Sequence, residues 1–335
     1  MLSLILLWAA FPWKALTARE YSMQLLQHKM VLSGPELRLE KAEPLDWLHF
    51  PKSGSSLINA LVHLPGVCPL LGNLTLDEEL LGPCWLEVWY KDYCVKLCQA
   101  DKFSCPPNAS LPHRPMVNFS AQKGHLVGMF RDPDQRILSG YHDDFNNFAA
   151  VGYIDHLVED MLSDPDLDME NCTASVRGLA KVPILDFAEA WKGGMTYQLV
   201  TEHPTTQTLD PKRPRMTHAD AEEAARRVRE GFAFVGITEE WDLSMCLLHK
   251  MFGGVCQASD FINMNPTYHG KSAEMDYDTS ELHGWHDDVD EVVYAAALGV
   301  FRQNLIAYNV SHEACRDCYR IAADLGGSKQ LRKHI

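Results

Sequence analysis

The stretch Pro51-Lys52-Ser53-Gly54-Ser55-Ser56 holds the residue types best suited to chemistry. It follows a short apolar run and precedes a helical pattern, so it reads as a turn at a helix N-terminus. Backbone N–H groups in such a turn converge into a cradle for an anion. Gly54 lets the backbone approach closely, Lys52 sets a cation beside the anion, and Ser55 and Ser56 add hydroxyl donors. A Ser/Gly-rich turn with a solvated Lys accounts for the same residues, and the turn alone does not separate the two readings. The spacing excludes the triphosphate-binding pattern GxxxxGK[ST]: Lys52 precedes Gly54, and no upstream Gly stands at the required distance. No dinucleotide or kinase glycine fingerprint is present.

Positioning that turn requires a strand before it and a helix after it. Leu45 to Phe50 is an apolar run stopped by Pro51, and Leu57, Ile58, Leu61 and Val62 form the buried face of a helix over 55–63. A second buried strand, His125 to Phe130, stops at Arg131-Asp132-Pro133. Pro133 opens a helix continuing to Asn147. Residues 65–120 are rich in Cys and Pro and read as irregular, with helices near 77–81 and 85–99. Residues 150–190 read as helical with Pro breaks, Met195 to Val200 as a strand, and 203–218 as a loop. Ala219 to Gly231 is a helix with acidic residues early and arginines late, matching the helix dipole. Phe232 to Ile237 is a strand, Trp241 to Met251 a helix, and Asp290 to Tyr308 a long helix. Strands alternating with helices make this an α/β chain with a parallel sheet.

The turn and the segment Arg131-Asp132-Pro133-Asp134-Gln135-Arg136-Ile137-Leu138-Ser139-Gly140-Tyr141 together resemble the sulfotransferase superfamily. The first resembles its loop for the 5′-phosphosulfate of 3′-phosphoadenosine 5′-phosphosulfate (PAPS). The second resembles its 3′-phosphate motif, RDPxxRxxSxY. A looser similarity through Gly231 to Glu239 and Asp290 to Leu305 is closest to the lumenal carbohydrate sulfotransferases. The resemblance implies a P-loop-like central parallel sheet flanked by helices, here with a Cys-rich irregular insertion. It implies that Pro51, Lys52, Ser53, Gly54, Ser55 and Ser56 hold the 5′ end of PAPS. Arg131 and Ser139 would hold the 3′-phosphate, Ser139 about two helical turns into the helix. Lys52 would stabilise the leaving phosphate oxygen, where charge develops. The scheme requires no metal, and no HExxH or DxD pattern appears.

The acceptor hydroxyl needs a base, and members of the superfamily use His or Glu. His113, in Leu111-Pro112-His113-Arg114-Pro115, lies between the two motifs, and its neutral imidazole suits proton abstraction near neutral pH. A surface His in a Pro-rich loop explains it equally. Glu87, before Val88-Trp89-Tyr90, is the alternative base, against a plain helix-surface carboxylate. Arg136 reads as a salt-bridging structural partner, while His125 and His142 read as residues outside the chemistry. Lys212-Arg213-Pro214-Arg215 reads as a solvated loop. Trp285, His283 and His286 are aromatic enough to line an acceptor cleft, with nothing else in their favour.

The 335 residues carry 30 Lys+Arg against 45 Asp+Glu, a net charge of −15, which argues against nucleic acid as the partner. Residues 1–18 open with an apolar run and read as a signal peptide or signal anchor, the sole expected membrane contact. The rival reading is a buried N-terminal helix. Residues 19–44 read as a stem or entry segment, 45–325 as the sulfotransferase domain, and 326–335 as a basic tail. Ten cysteines in irregular spacings, after a secretory leader, favour disulfides over zinc, with connectivity left open. Sequons at Asn73, Asn108, Asn118, Asn171 and Asn309 point the same way. The expectation is therefore a PAPS-dependent O-sulfotransferase of the secretory lumen, Golgi by resemblance, acting on a glycan or another hydroxyl acceptor. Two other classes stay open: a P-loop-like nucleotide-binding kinase, and a non-catalytic secreted glycan-binding protein on the same scaffold. Neither the acceptor nor the oligomeric state is legible.

Overall fold

In a computed structural model, residues 35–71, 102, 113, 115–142, 183–202, 208, 213–263 and 277–324 are described. All belong to one compact unit, Pro35–Ile335. In chain order they form α1 (Pro35–Ala42), β1 (Asp46–Trp47), α2 (Leu57–Val62), α3 (Phe119–Gln122), β2 (Leu126–Phe130) and α4 (Pro133–Tyr141). There follow α5 (Ile184–Trp191), α6 (Gly194–Val200), α7 (His218–Gly231), β3 (Phe232–Ile237), α8 (Trp241–Phe252), α9 (Asp290–Ala307) and α10 (Arg316–Asp324). Two short 3-10 turns, Ala258–Phe261 and Thr279–Leu282, precede α9.

The chain is α/β: the strands form a small parallel sheet in the order β1-β2-β3, flanked by helices. Asp46 pairs with Leu126, and Leu126 with Phe232, with a register shift between Leu126 and Val127. β2 is buried at every position and β3 at all but Phe232. That is why both read as unbroken apolar runs rather than alternating ones. α8 and α9 pack on β3, and α7 packs along α9. Phe50, just beyond β1, Phe130 of β2 and Phe232 of β3 meet in ring contacts, with centroids 4.9 and 5.4 Å apart.

Several expectations are corrected. Residues 195–200 form α6, a helix and not a strand. Six consecutive positions, Gly194 to Leu199, are buried, so apolar periodicity carried no signal there. The helix start is specified from far along the chain: Asp290 accepts from the N–H groups of Met195 (2.9 Å) and Thr196 (2.8 Å). Gly193, at φ 71, takes the left-handed turn that leads in. The helix opened by Pro133 ends at Tyr141, with His142 as its C-cap. Arg213 is buried, not solvated. It donates to the Lys192 carbonyl at 2.7 Å and lies over the Tyr197 ring, and burial pulls its pKa down to about 10.

Arg136 is structural, as its sequence context suggested. It is buried against Asp290 (3.0 Å), Asp287 (3.7 Å) and the Trp191 carbonyl (3.1 Å). Removing one partner from such a buried ionic group leaves uncompensated charge. Disulfides join Cys246 to Cys315 and Cys256 to Cys318, and Cys68 is also disulfide-bonded. These bonds fit an oxidising, secreted or lumenal setting. Among the described residues no helix is long and apolar enough to cross a membrane. The leader, most of the Cys-rich stretch, the 77–81 and 85–99 helices and the basic tail lie outside the described residues.

Candidate functional site

The carboxyl ends of all three parallel strands lie at one edge of the sheet, where open α/β sheets hold their ligands. β1 runs through His49 and Phe50 into the turn 51–56. β2 delivers Arg131, and β3 delivers Thr238 and Glu239. The Thr238 N–H donates to the Phe130 carbonyl at 2.8 Å, and the Asp132 N–H donates to Glu239 at 3.0 Å, so the ends of β2 and β3 are locked together.

The turn has left-handed positions of the kind that anion cradles use. Lys52 (φ 62) and Gly54 (φ 97) are both in the left-handed region. Left-handed residues alternating with ordinary ones aim successive N–H groups inward. The Ser53 N–H donates to the Phe50 carbonyl at 3.2 Å, and the Leu57 N–H to the Gly54 carbonyl at 3.1 Å. Gly54 is required for space as well as for φ: a Cβ there would stand 2.8 Å from Trp241 Cζ3 and 3.3 Å from Met129 Cβ. Pro51, Lys52, Ser53 and Ser56 are buried. The Ser53 hydroxyl is buried with no hydrogen-bond partner among the described residues. A buried hydroxyl left in that state has unused donor and acceptor capacity, and a phosphate or sulfonate oxygen would fit it.

Arg131 joins the two sequence motifs. Its Nη1 donates to the Lys52 carbonyl at 3.1 Å. Its Nε is 3.8 Å from Glu239, and its guanidinium lies over the Tyr277 ring, 5.7 Å from the centroid. The next two residues explain the rest of the motif's start: Asp132 caps α4 by accepting from Asp134 and Gln135, and Pro133 fills the first helical position. Tyr277 is itself held by a reciprocal pair of hydrogen bonds with Gln135, at 3.0 and 2.7 Å. Ser139 is buried in α4, and among the described residues no hydrogen bond links it to Arg131 or to the turn.

His113 falls at the same edge. Its ring lies 4.6 Å from that of His49, and Thr208 donates to its carbonyl. Glu87 lies outside the described residues. His49 and Tyr277 were not singled out by sequence reasoning. For His49 the signal was available, since it stands just before Pro51 in the same run. It is buried, stacked on Trp47 at 4.4 Å, and hydrogen-bonded through Nε2 to the Ser55 hydroxyl at 3.0 Å. Burial, then the charges of His113 and Lys52, hold its pKa well below the usual histidine range.

The other candidates sit elsewhere in hydrogen-bond networks. His125 bonds the Ala42 carbonyl and His142 bonds Glu281. Trp285 donates to Glu189, and His286 bridges Asp134 and Glu291. Among the described residues no group of three or more His, Cys, Asp or Glu side chains could hold a metal ion.

The strand ends therefore bring together a left-handed turn with a buried lysine, an arginine tied to that turn, and two histidines. That assembly can bind a phosphorylated anion and present a neutral imidazole beside it. Comparison of the chain with protein-family models, with curated proteins and with solved structures gives no match.

Proposed function

We propose that the protein is a sulfotransferase using PAPS as co-substrate, on a P-loop-like scaffold. The observation that carries the reading is the 3.1 Å bond from Arg131 to the Lys52 carbonyl. It brings the two motifs, far apart in sequence, side by side, as a single nucleoside bisphosphate spanning both would require. The turn 51–56 and Lys52 would take the 5′-phosphosulfate, with Arg131 and Ser139 on the 3′-phosphate side.

In the transfer, the acceptor oxygen forms a bond to sulfur while the bond from sulfur to the 5′-phosphate oxygen breaks. The electron pair stays on that phosphate oxygen, where Lys52 and the turn amides offset the developing charge. The acceptor's proton passes to His113, or to Glu87 if that residue reaches the site. The product nucleotide is 3′-phosphoadenosine 5′-phosphate. A glycan acceptor in the Golgi lumen rests on the sequence resemblance and is consistent with the disulfides.

The test is incubation with radiolabelled PAPS and a panel of glycan acceptors, beside titration with 3′-phosphoadenosine 5′-phosphate and with ATP. Label should move to an acceptor, and the bisphosphate should bind well ahead of ATP. Lys52→Ala should abolish transfer in a protein that remains folded by circular dichroism. Preference for ATP would favour a kinase. Glycan binding without transfer would favour a non-catalytic lectin-like protein.

A further inference from the structure

His49 has two ring nitrogens in different situations. Nε2 lies 3.0 Å from the Ser55 hydroxyl, while Nδ1 is buried without a hydrogen-bond partner among the described residues. Burial holds its pKa well below the usual histidine range, which favours a neutral ring with hydrogen on one nitrogen and a bare lone pair on the other. A buried N–H with no acceptor is rarer and costlier than a buried lone pair with no donor. The network therefore assigns the hydrogen to Nε2. In that tautomer His49 donates to the Ser55 oxygen, and the Ser55 hydrogen is left to point elsewhere. The opposite tautomer would draw that hydrogen onto the imidazole and take Ser55 out of use as a donor.

We infer that His49 is a positioning residue that fixes the Ser55 hydroxyl as a hydrogen-bond donor to a phosphate or sulfonate oxygen in the turn. Three contacts keep it in register. Its ring stacks on Trp47, its carbonyl accepts from Gln198 at 3.0 Å, and the His113 ring lies 4.6 Å from its own. The inference rests on the reading of the turn as the PAPS site.

The test is a double-mutant cycle on the affinity for 3′-phosphoadenosine 5′-phosphate, by calorimetry on the full chain. His49→Phe keeps the stack on Trp47 and removes the donor; Ser55→Ala removes the hydroxyl. Each single variant should lose roughly tenfold in affinity, the scale of one hydrogen bond to a charged group. The double variant should lose no more than either single one. His49→Gln, which returns an N–H near the Nε2 position, should recover part of the loss. Unfolding midpoints of each variant without nucleotide separate a purely structural effect. Losses that multiply in the double variant, or no loss in His49→Phe, overturn the role of His49 while leaving the PAPS reading intact. A wild-type protein that fails to bind the bisphosphate overturns both.

Discussion

Arg131 is the residue whose replacement should reach furthest, because one guanidinium supports the Lys52 carbonyl, faces Glu239 and covers Tyr277. Lysine has neither the planar fork nor the stacking face to do all three. Arg131→Lys should weaken bisphosphate binding by tenfold or more, read by calorimetry; retained affinity would mean that the turn keeps its shape without the arginine. His113→Ala should lose turnover and keep nucleotide affinity, and an active variant would pass the base to Glu87. Lys52, Gly54 and Arg131 stood out in the sequence because an anion site would need those residue types at fixed local spacing, and the fold brings them to one edge of the sheet. The contact between His49 and Ser55 did not stand out, because it depends on how the folded turn presents the serine to the imidazole. For Ser139 the sequence pattern stands without a matching contact in the described residues.

At the scale of elements, the turn between β1 and α2 holds two left-handed positions within three residues, Lys52 and Gly54. Gly54→Ala forces a Cβ into the left-handed region and against Trp241. It should lower stability by about 2 kcal/mol in urea unfolding, together with a loss of bisphosphate binding. A cost near zero would show that the turn relaxes. The strands β2 and β3 could be read directly, since buried parallel strands are written as apolar runs between turn residues. α6 could not, because it is buried all round and started by a carboxylate 94 residues away from Thr196. A similar long-range tie links the starts of α4 and α9. His286 lies between Asp134 and Glu291, and these carboxylates, Asp134 foremost, raise its pKa to about 9. A raised folded-state pKa makes this contribution complete below pH 6.5 and lost as pH climbs through about 9. The melting temperature should therefore fall more steeply over that window in the wild type than in His286→Gln. The side chain is 43% exposed, so solvent screening should keep the difference small.

Across the whole molecule, the disulfides Cys246–Cys315 and Cys256–Cys318 fix α10 and the residue before it to α8 and the segment after it. They span 69 and 62 residues, loops for which chain-entropy arguments give about 4 kcal/mol each as an upper figure. The loops overlap, so the two contributions should not add in full. Replacing Cys246 and Cys315 together by Ala should lower the unfolding free energy by about 2–4 kcal/mol, measured by denaturant titration. An unchanged midpoint would show that packing of α10 suffices alone. Cysteine counting pointed to disulfides but not to their pairing, because Cys315 and Cys318 stand one turn apart and either could reach either partner until the fold decides. That crowding has a consequence for biogenesis. Cys246 can meet Cys315 only once synthesis has passed residue 315, and Cys256 can meet Cys318 only three residues later, so two neighbouring thiols then compete for the same two distant mates. Maturation should consequently run late and depend on an isomerase, with crossed 246–318 and 256–315 species as the trapped by-products.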